Sequence, residues 1–496
     1  MCGQSWTTKF PATRSHVFNA TDNDQCCAAV IALVRAASLM IACFPIVSQG
    51  QVATDVDRAP TLTIERHPED WSHLGDSSKR TGRWTEPFKY IPLRKDGSIY
   101  LTTGTEARSR YEGYDNPNWA STPDEGYVWN RLMPYADLHV GTVRVFAQPI
   151  FSAISGASHR PRTPVDTTGA DVLQAFVEVE LDLANGTSLR ASAGRKLLSL
   201  GAGRFVSTRY GPGIPQAFDG FDASVAGRTR RVTALYLRPV DTSPDNFDDR
   251  GSRRQSTWGI YATQYLGDGQ SFGVDTYYLG FRDRRAVYDQ GAGRHSLHTF
   301  GARVFGDTGS WFWNVEGALQ RGSFAGQLSS AWGVANEIGY RPDAMPLKPE
   351  FWLDADIVSG DRDPDDLTLG TFNPMFPNGK YLGALTPVGP RNLIHVRPSA
   401  AIHPRGDMQV SLTAAAFWRQ STGDGVYAIP GILLRSGSGS EARFIGKQFE
   451  LAAAWQATPE LNLSASASVF DPGSFIRDTG PARLIKLVSV MANFRF

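Results

Sequence analysis

From Ile99 to the C-terminus, apolar and polar residues alternate one by one in segments of about ten to thirteen residues, each ended by turn-forming residues. Leu173, Ala175, Val177, Val179 and Leu181 alternate with Gln174, Phe176, Glu178, Glu180 and Asp182 before the tight turn Ala184-Asn185-Gly186. Leu189, Ala191 and Ala193 then alternate with Arg190 and Ser192, and Leu461, Leu463, Ala465, Ala467 and Val469 with Asn462, Ser464, Ser466, Ser468 and Phe470. A period of two sends successive side chains to opposite faces, so each segment has one face for lipid and one for water. The last segment, Ala482 to Phe496, does the same: Phe496, Phe494, Ala492, Val490 and Val488 lie opposite Arg495, Asn493, Met491, Ser489 and Leu487. A strand of a soluble sandwich could alternate in this way, but an end on Phe-Arg-Phe would leave two rings with nothing to bury them. In a membrane barrel those rings lie in lipid and the last strand pairs with the first.

The pattern predicts strands at 99–113, 127–138, 142–153, 172–183, 187–198, 216–225, 229–239, 257–266, 271–283, 295–305, 310–322, 327–340, 348–360, 391–402, 408–420, 446–456, 460–471 and 482–496. The sixth has the poorest period. The even count and the alternation of turn lengths specify an all-β fold, a transmembrane antiparallel β-barrel of outer-membrane type with about eighteen strands. With a periplasmic N-terminus, turns such as His139–Gly141, Ala226–Arg228 and Thr458–Glu460 are short and periplasmic, whereas 199–215, 240–256, 361–390 and 421–445 form the long outer set.

Composition removes other classes. Mean hydropathy is −0.27 and no long apolar run follows the N-terminal region, so a helical membrane protein is excluded. Fifty basic against 49 acidic residues give a formal charge of +1, with no signal for nucleic acid. The stretch Cys26–Val47 is apolar apart from Arg35 and Ser38, follows Lys9 and Arg14, and leads into Ser48-Gln49-Gly50. It predicts a secretory signal peptide over 1–50, followed by a polar periplasmic lead-in over 51–97 and the barrel over 98–496. All four cysteines (Cys2, Cys26, Cys27 and Cys43) precede the barrel, which excludes a disulfide framework, a CxxC site and a cysteine nucleophile from its body.

Three stretches resemble the bacterial alginate export outer-membrane porins. They are Arg108-Ser109-Arg110-Tyr111-Glu112-Gly113-Tyr114-Asp115-Asn116, Gly194-Arg195-Lys196-Leu197-Leu198-Ser199-Leu200-Gly201, and Phe372-Asn373-Pro374-Met375-Phe376-Pro377 with Tyr381. The resemblance covers roughly 95–496. It implies an eighteen-stranded barrel that passes a uronate polymer through an arginine-lined constriction, with Arg108, Arg110, Arg131, Arg195 and Arg397 at the matching positions. Arg195 shares parity with Leu189 and Ala191, so either a bulge follows Gly194 or that position departs from the family pattern.

Parity alone places Arg108, Arg110, Arg131, Arg144, Arg190, Arg303, Arg397, Arg419 and Arg495 in the lumen, against twelve acidic residues that include Glu106, Asp137, Glu178, Asp275, Glu316, Asp354 and Asp356. From the two criteria together the candidate solute-binding residues are Arg108, Arg110, Arg131, Arg144, Arg195, Arg397 and Arg419. An arginine fork can grip carboxylates in succession, or pair with wall carboxylates and brace the barrel. No catalytic constellation stands out and no cofactor is implied. His295, His298, His395 and His403 lack metal-ligand spacing, and Asp361 to Asp366 lacks the glycine and distal glutamate of a calcium loop. The expected partners are an anionic polysaccharide or uronate solute, outer-membrane lipid, the barrel assembly machinery and periplasmic export components. A diffusion porin for another small organic solute is the alternative, and an outer-membrane enzyme or adhesin on a barrel mount is the third class. Deletion of Phe494 to Phe496 is expected to leave unassembled protein in the periplasm; normal surface assembly of the truncated chain, measured by heat-modifiable migration, contradicts the closing-strand assignment.

Overall fold

The computed structural model describes residues 60, 62–157, 166–267, 270–342 and 344–496. The predicted signal segment and its cysteines lie outside them. The barrel strands are β1 (Ile99–Asp115), β2 (Glu125–Val140), β3 (Val143–Ser155), β4 (Thr168–Asp182), β5 (Ser188–Lys196), β6 (Phe218–Ala226), β7 (Arg230–Asp241), β8 (Gln255–Tyr265), β9 (Phe272–Tyr288), β10 (Gly291–Asp307), β11 (Trp311–Phe324), β12 (Gln327–Tyr340), β13 (Glu350–Val358), β14 (Leu393–Arg405), β15 (Met408–Trp418), β16 (Phe444–Gln456), β17 (Leu461–Pro472) and β18 (Ile485–Arg495). Each pairs antiparallel with its sequence neighbour, and β18 closes on β1 from Glu106↔Arg495 to Asp115↔Lys486. Closure removes the free sheet edges that lipid could not hydrogen-bond. At the seam, Phe496 and Thr105 exchange backbone hydrogen bonds of 3.1 and 3.2 Å.

All eighteen predicted segments become barrel strands, the sixth shifted to 218–226. The outer connections differ from the expected set in one respect. β9 and β10, each 17 residues long, meet at Asp289-Gln290, and β11 and β12 meet at Ala325-Gly326, so two outer turns are as short as the periplasmic ones. Ala325 and Gly326 have φ of 52° and 88°, the paired left-handed conformation whose twist matches a hairpin.

The two faces follow the alternation. Val488, Val490, Leu319, Leu412 and Leu451 are each at least half exposed on the outer wall, while Glu106, Asp275 and Gln320 on the inner wall are at most 1% exposed. Aromatic rings cluster on the outer wall: Trp311 with Tyr340 at the periplasmic end, and Phe221 with Tyr236 and Tyr278 with Phe300 further along their strands.

The lead-in segment from residue 62 to 98 packs into the periplasmic mouth. Arg66, 1% exposed, donates to the Phe496 carbonyl at 2.6 Å and pairs with Glu69 at 3.3 Å. His67 lies edge-on to Phe176 and Phe146, and its carbonyl accepts from Arg144. Burial, with Lys196 and Arg144 nearby, pushes its imidazole down to about 3, so it is neutral. The short helix Glu86–Lys89 sets Trp84 and Phe88 on Phe496 at 5.2 and 5.8 Å, which extends the lower aromatic ring. From its end Lys89 reaches into the barrel and donates to Tyr135 Oη at 2.7 Å and to the Thr103 carbonyl at 3.1 Å. Gly104 leaves room for this, since a Cβ there would lie 2.6 Å from Lys89 Nζ and from the Tyr135 ring.

Two outer connections fold inward. Residues 197–217 and 359–392 meet inside the barrel, where Phe376 N donates to Phe205 O and Asn378 N to Gly203 O, both at 2.9 Å. Phe205, Val206, Phe372, Met375, Phe376, Leu382 and Val388 join wall residues such as Phe218, Tyr277 and Leu279 in an apolar core within the barrel.

Burial and the neighbouring Arg66 hold the Lys89 ammonium down to about 7. Between that value and its ordinary one the undocked lysine binds more protons than the docked one, so docking strengthens as pH rises above 7 and is weakest below it. Limited proteolysis of residues 62–98 is therefore expected to slow from pH 6 to pH 9 in the native barrel. In K89M this pH dependence should vanish; an identical pH response in K89M refutes the assignment.

Candidate lumenal site

The seven candidate arginines fall into four groups. Arg108, Arg110 and Arg131 lie on the inner faces of β1 and β2, where even positions of β1 and odd positions of β2 point inward. They hold the first inward loop. Arg108 donates to the carbonyls of Tyr210 and Pro212 at 3.1 and 2.5 Å, Arg110 to Gly211 at 3.2 Å, and Arg131 to Pro212 and Gly213 at 3.2 and 3.3 Å. The Tyr210 ring lies against Arg131 at 4.4 Å and Arg108 at 5.5 Å. Arg131 also pairs with Glu106 at 2.5 Å with both side chains fully buried, and Arg110 pairs with Glu112. Four consecutive carbonyls from a turn thus take donors that a solute carboxylate would need.

Arg144, on β3, pairs with Asp137 at 2.5 Å and Glu178 at 3.4 Å and anchors the lead-in segment through His67. Arg397, on β14, donates twice to Asp354 of β13, at 2.8 and 3.0 Å.

Arg195 and Arg419 depart from the lumenal expectation. The β5–β6 register runs without interruption from Ser188 to Lys196, so no bulge follows Gly194 and Arg195 keeps the outward parity of Leu189 and Ala191. At the outer rim it pairs with Asp219 at 2.7 Å and Asp171 at 3.6 Å and donates to the Asp249 carbonyl. The carboxylates of Asp171, Asp248 and Asp249 converge there within 4.8 Å, the one such group among the described residues that could take a metal ion. Burial and the adjacent carboxylates push Asp249 up to about 6. Arg419 lies just beyond the end of β15 and is 0% exposed. Its guanidinium donates to the carbonyls of Thr422, Asp424, Ser440 and Ala442 and stacks on Phe475 at 4.0 Å, which folds the loop 419–443 over the barrel.

A second cluster lies on β8 to β14. Arg303 pairs with Asp275 at 2.6 Å, and Tyr261 donates to the same carboxylate at 2.6 Å. Tyr277 donates to Glu316 at 2.7 Å, Arg204 of the first inward loop approaches Glu316 at 3.9 Å, and His395 lies 3.7 Å from Asp356. Glu337 shares the inner face of β12 with Ala335, beside Asp354 in the β12–β13 register. The side chains of Arg204, Arg303 and Arg397 are 12, 13 and 12% exposed, like those of Arg110 and Arg144 at 13 and 12%, against 0% for Arg131. Where both inward loops meet this wall, a cavity of about 30 Å³ remains between Arg204, Glu316, Asp356, Phe205, Phe372 and Pro390. That volume suits about one water.

Parity could not find Arg204, because it lies on a loop, and the same holds for the inward turn of 197–217. Its signal is compositional: two Pro/Gly-rich outer stretches carry Phe205, Tyr210, Phe372, Phe376 and Tyr381, aromatic residues that a solvated loop does not need.

A sequence search among curated proteins finds no match. Among solved structures, the fold is similar to a BenF-like porin from Pseudomonas fluorescens Pf-5 (TM-score 0.55, 9% identity, 80% of this chain and 98% of that one). It is similar to OccAB1 of Acinetobacter baumannii (TM-score 0.55, 11% identity, 83% and 99%) and to OccK2 of Pseudomonas aeruginosa, solved in complex with glucuronate (TM-score 0.53, 11% identity, 80% and 98%). These likenesses show an outer-membrane porin barrel. The family profile described as alginate export matches residues 99–488, from the first barrel strand into the last, and the chain therefore belongs to the alginate export family.

Proposed function

We propose that this outer-membrane channel passes a uronate or an alginate-like anionic saccharide, and that Arg303, Arg397 and Arg204 are its contacts in the lumen. The observation that carries the reading is the kind of partner each arginine has: Arg303 and Arg397 are partly exposed and hold wall carboxylates, and Arg204 reaches Glu316 beside them, whereas Arg108, Arg110 and Arg131 hold the carbonyls of the first inward loop and Arg144 that of His67. Each of the three keeps a wall carboxylate on one side. A passing carboxylate would share the fork with that neighbour, so it is held weakly and released readily, as conduction requires. The glucuronate complex of OccK2 supports a uronate as the probe to try first. A cavity of about one water's size does not admit a sugar, so passage through the loop junction requires the loop 359–392 to move. Recognition of the closing strand by the barrel assembly machinery and contact with periplasmic export components belong to the same proposal.

One observation favours a second reading, a diffusion porin for another small organic solute. Asp275, Glu316, Glu337, Asp354 and Asp356 set five carboxylates against three guanidiniums. Such a wall also suits zwitterionic or cationic solutes.

Planar-bilayer recording distinguishes the two. Arg397→Gln combined with Asp354→Asn removes one grip without leaving an orphaned buried charge. Block of the current by glucuronate oligomers is expected to weaken by roughly tenfold, about 1.4 kcal/mol. Arg195→Gln, at the outer rim, should leave block unchanged. Unaltered block in the paired variant, with glucuronate still blocking the parent, removes Arg397 from the path; no block of the parent by any uronate favours the second reading.

A further inference from the structure

The outer wall of β8–β11 carries a cationic band for which the channel reading gives no use. Its register is continuous across four strands. One outward row runs Ile260, Tyr278, Phe300 and Leu319, of which Ile260, Phe300 and Leu319 are more than half exposed, as a lipid-facing band should be. The next row toward the outer end runs Trp258, Gly280, His298 and Arg321, and the row beyond it Ser256, Arg282, Ser296 and Ser323. Arg294 continues the outward parity of β10, and Arg284 lies in the bulge that interrupts β9 after Asp283. His298 and these four arginines are all exposed.

No aspartate or glutamate faces outward in these rows. Among the described residues none of Arg282, Arg284, Arg294 and Arg321 has a carboxylate partner. The far side of the barrel differs, for there the outward cations at the same end are neutralised: Lys447 by Asp471 at 3.4 Å and Lys486 by Asp115 at 3.1 Å. The band is also shaped. The Trp258 ring lies in the space that a side chain at Gly280 would occupy, Arg282 lies over that ring at 6.0 Å, and His298 Nδ1 is 2.8 Å from Tyr278 Oη.

Positive charge placed directly above an apolar band stands at headgroup depth. A guanidinium without a carboxylate partner there meets anionic oxygen, and its planar fork fits phosphate; Arg321, whose Nη1 donates to Ser330 and to the Gln320 carbonyl, keeps its other nitrogens for this. With strands about 4.8 Å apart, the span from β8 to β11 is roughly 14 Å, wider than a single phosphate. We propose that this rim binds a glycolipid of the outer leaflet whose saccharide headgroup carries more than one phosphate, of the lipid A type. Its phosphates lie on Arg282, Arg294 and Arg321, its sugar rests on Trp258, and its acyl chains run down the Ile260–Leu319 row.

The test uses the full chain reconstituted in phosphatidylcholine nanodiscs doped with diphosphoryl lipid A, monophosphoryl lipid A or phosphatidylglycerol, with lipid retained after extraction counted by native mass spectrometry. Diphosphoryl lipid A should be retained over phosphatidylglycerol, and R282Q/R294Q/R321Q should lower that retention by about tenfold. K447Q/K486Q, on the far wall, should leave it unchanged. Retention of phosphatidylglycerol equal to that of diphosphoryl lipid A overturns the proposal, as does unaltered retention by the triple variant or equal loss in the control. Should the triple variant not assemble, the parent decides: monophosphoryl lipid A must be retained less than diphosphoryl lipid A, and equal retention overturns the proposal.

Discussion

Lipid offers a backbone no hydrogen bonds, and this structure depends on the pairing of its last strand with its first. Every other ladder of the barrel wall joins strands that follow one another in sequence. The β18–β1 ladder joins the ends of the barrel, and only this ladder converts a curled sheet into a wall without edges. The aromatic end, the fit of Gly104 and the docked lead-in segment all gather at that seam. Arg66 and Thr105 both donate to the Phe496 carbonyl, at 2.6 and 3.2 Å.

Inside the wall the governing cost is that of burying charge without a partner. A lumen narrowed by its own loops cannot leave guanidiniums in bulk water, so most of them become structural. Arg108, Arg110 and Arg131 pin one inward loop, Arg144 the lead-in segment, and Arg419 the outer loop above the barrel. Under the proposed function the contacts for a solute are Arg204, Arg303 and Arg397, which meet wall carboxylates and keep residual exposure. A count of inward arginines therefore overstates how many a solute can reach.

The alternation of polarity made the strands legible, because a period of two is a local property and a one-residue slip would turn every lipid-facing side chain into the lumen. Parity placed Arg108, Arg131, Arg144 and Arg397 on the inner wall and placed Arg195 outside; the family pattern pointed the other way for Arg195, and the uninterrupted register at Gly194 decided the matter. Arg419 was misplaced because parity continues past a strand end while the backbone does not, and the chain leaves the wall after Trp418. The inward loops and Arg204 were not legible. Aperiodic segments take their path from tertiary contacts, here an apolar core of Phe205, Phe372 and Phe376 within the barrel.

The hydrogen bond from Arg66 to Phe496 joins residues 430 positions apart, and its acceptor is the last residue of the chain. A contact of that separation has the full loop-closure entropy against it until the strands between are in place. It therefore belongs to the end of folding rather than to its beginning. Because its dock is built from both the first and the last strand of the barrel, the lead-in segment completes its contacts only once the seam has closed, and an occupied mouth reports a closed barrel.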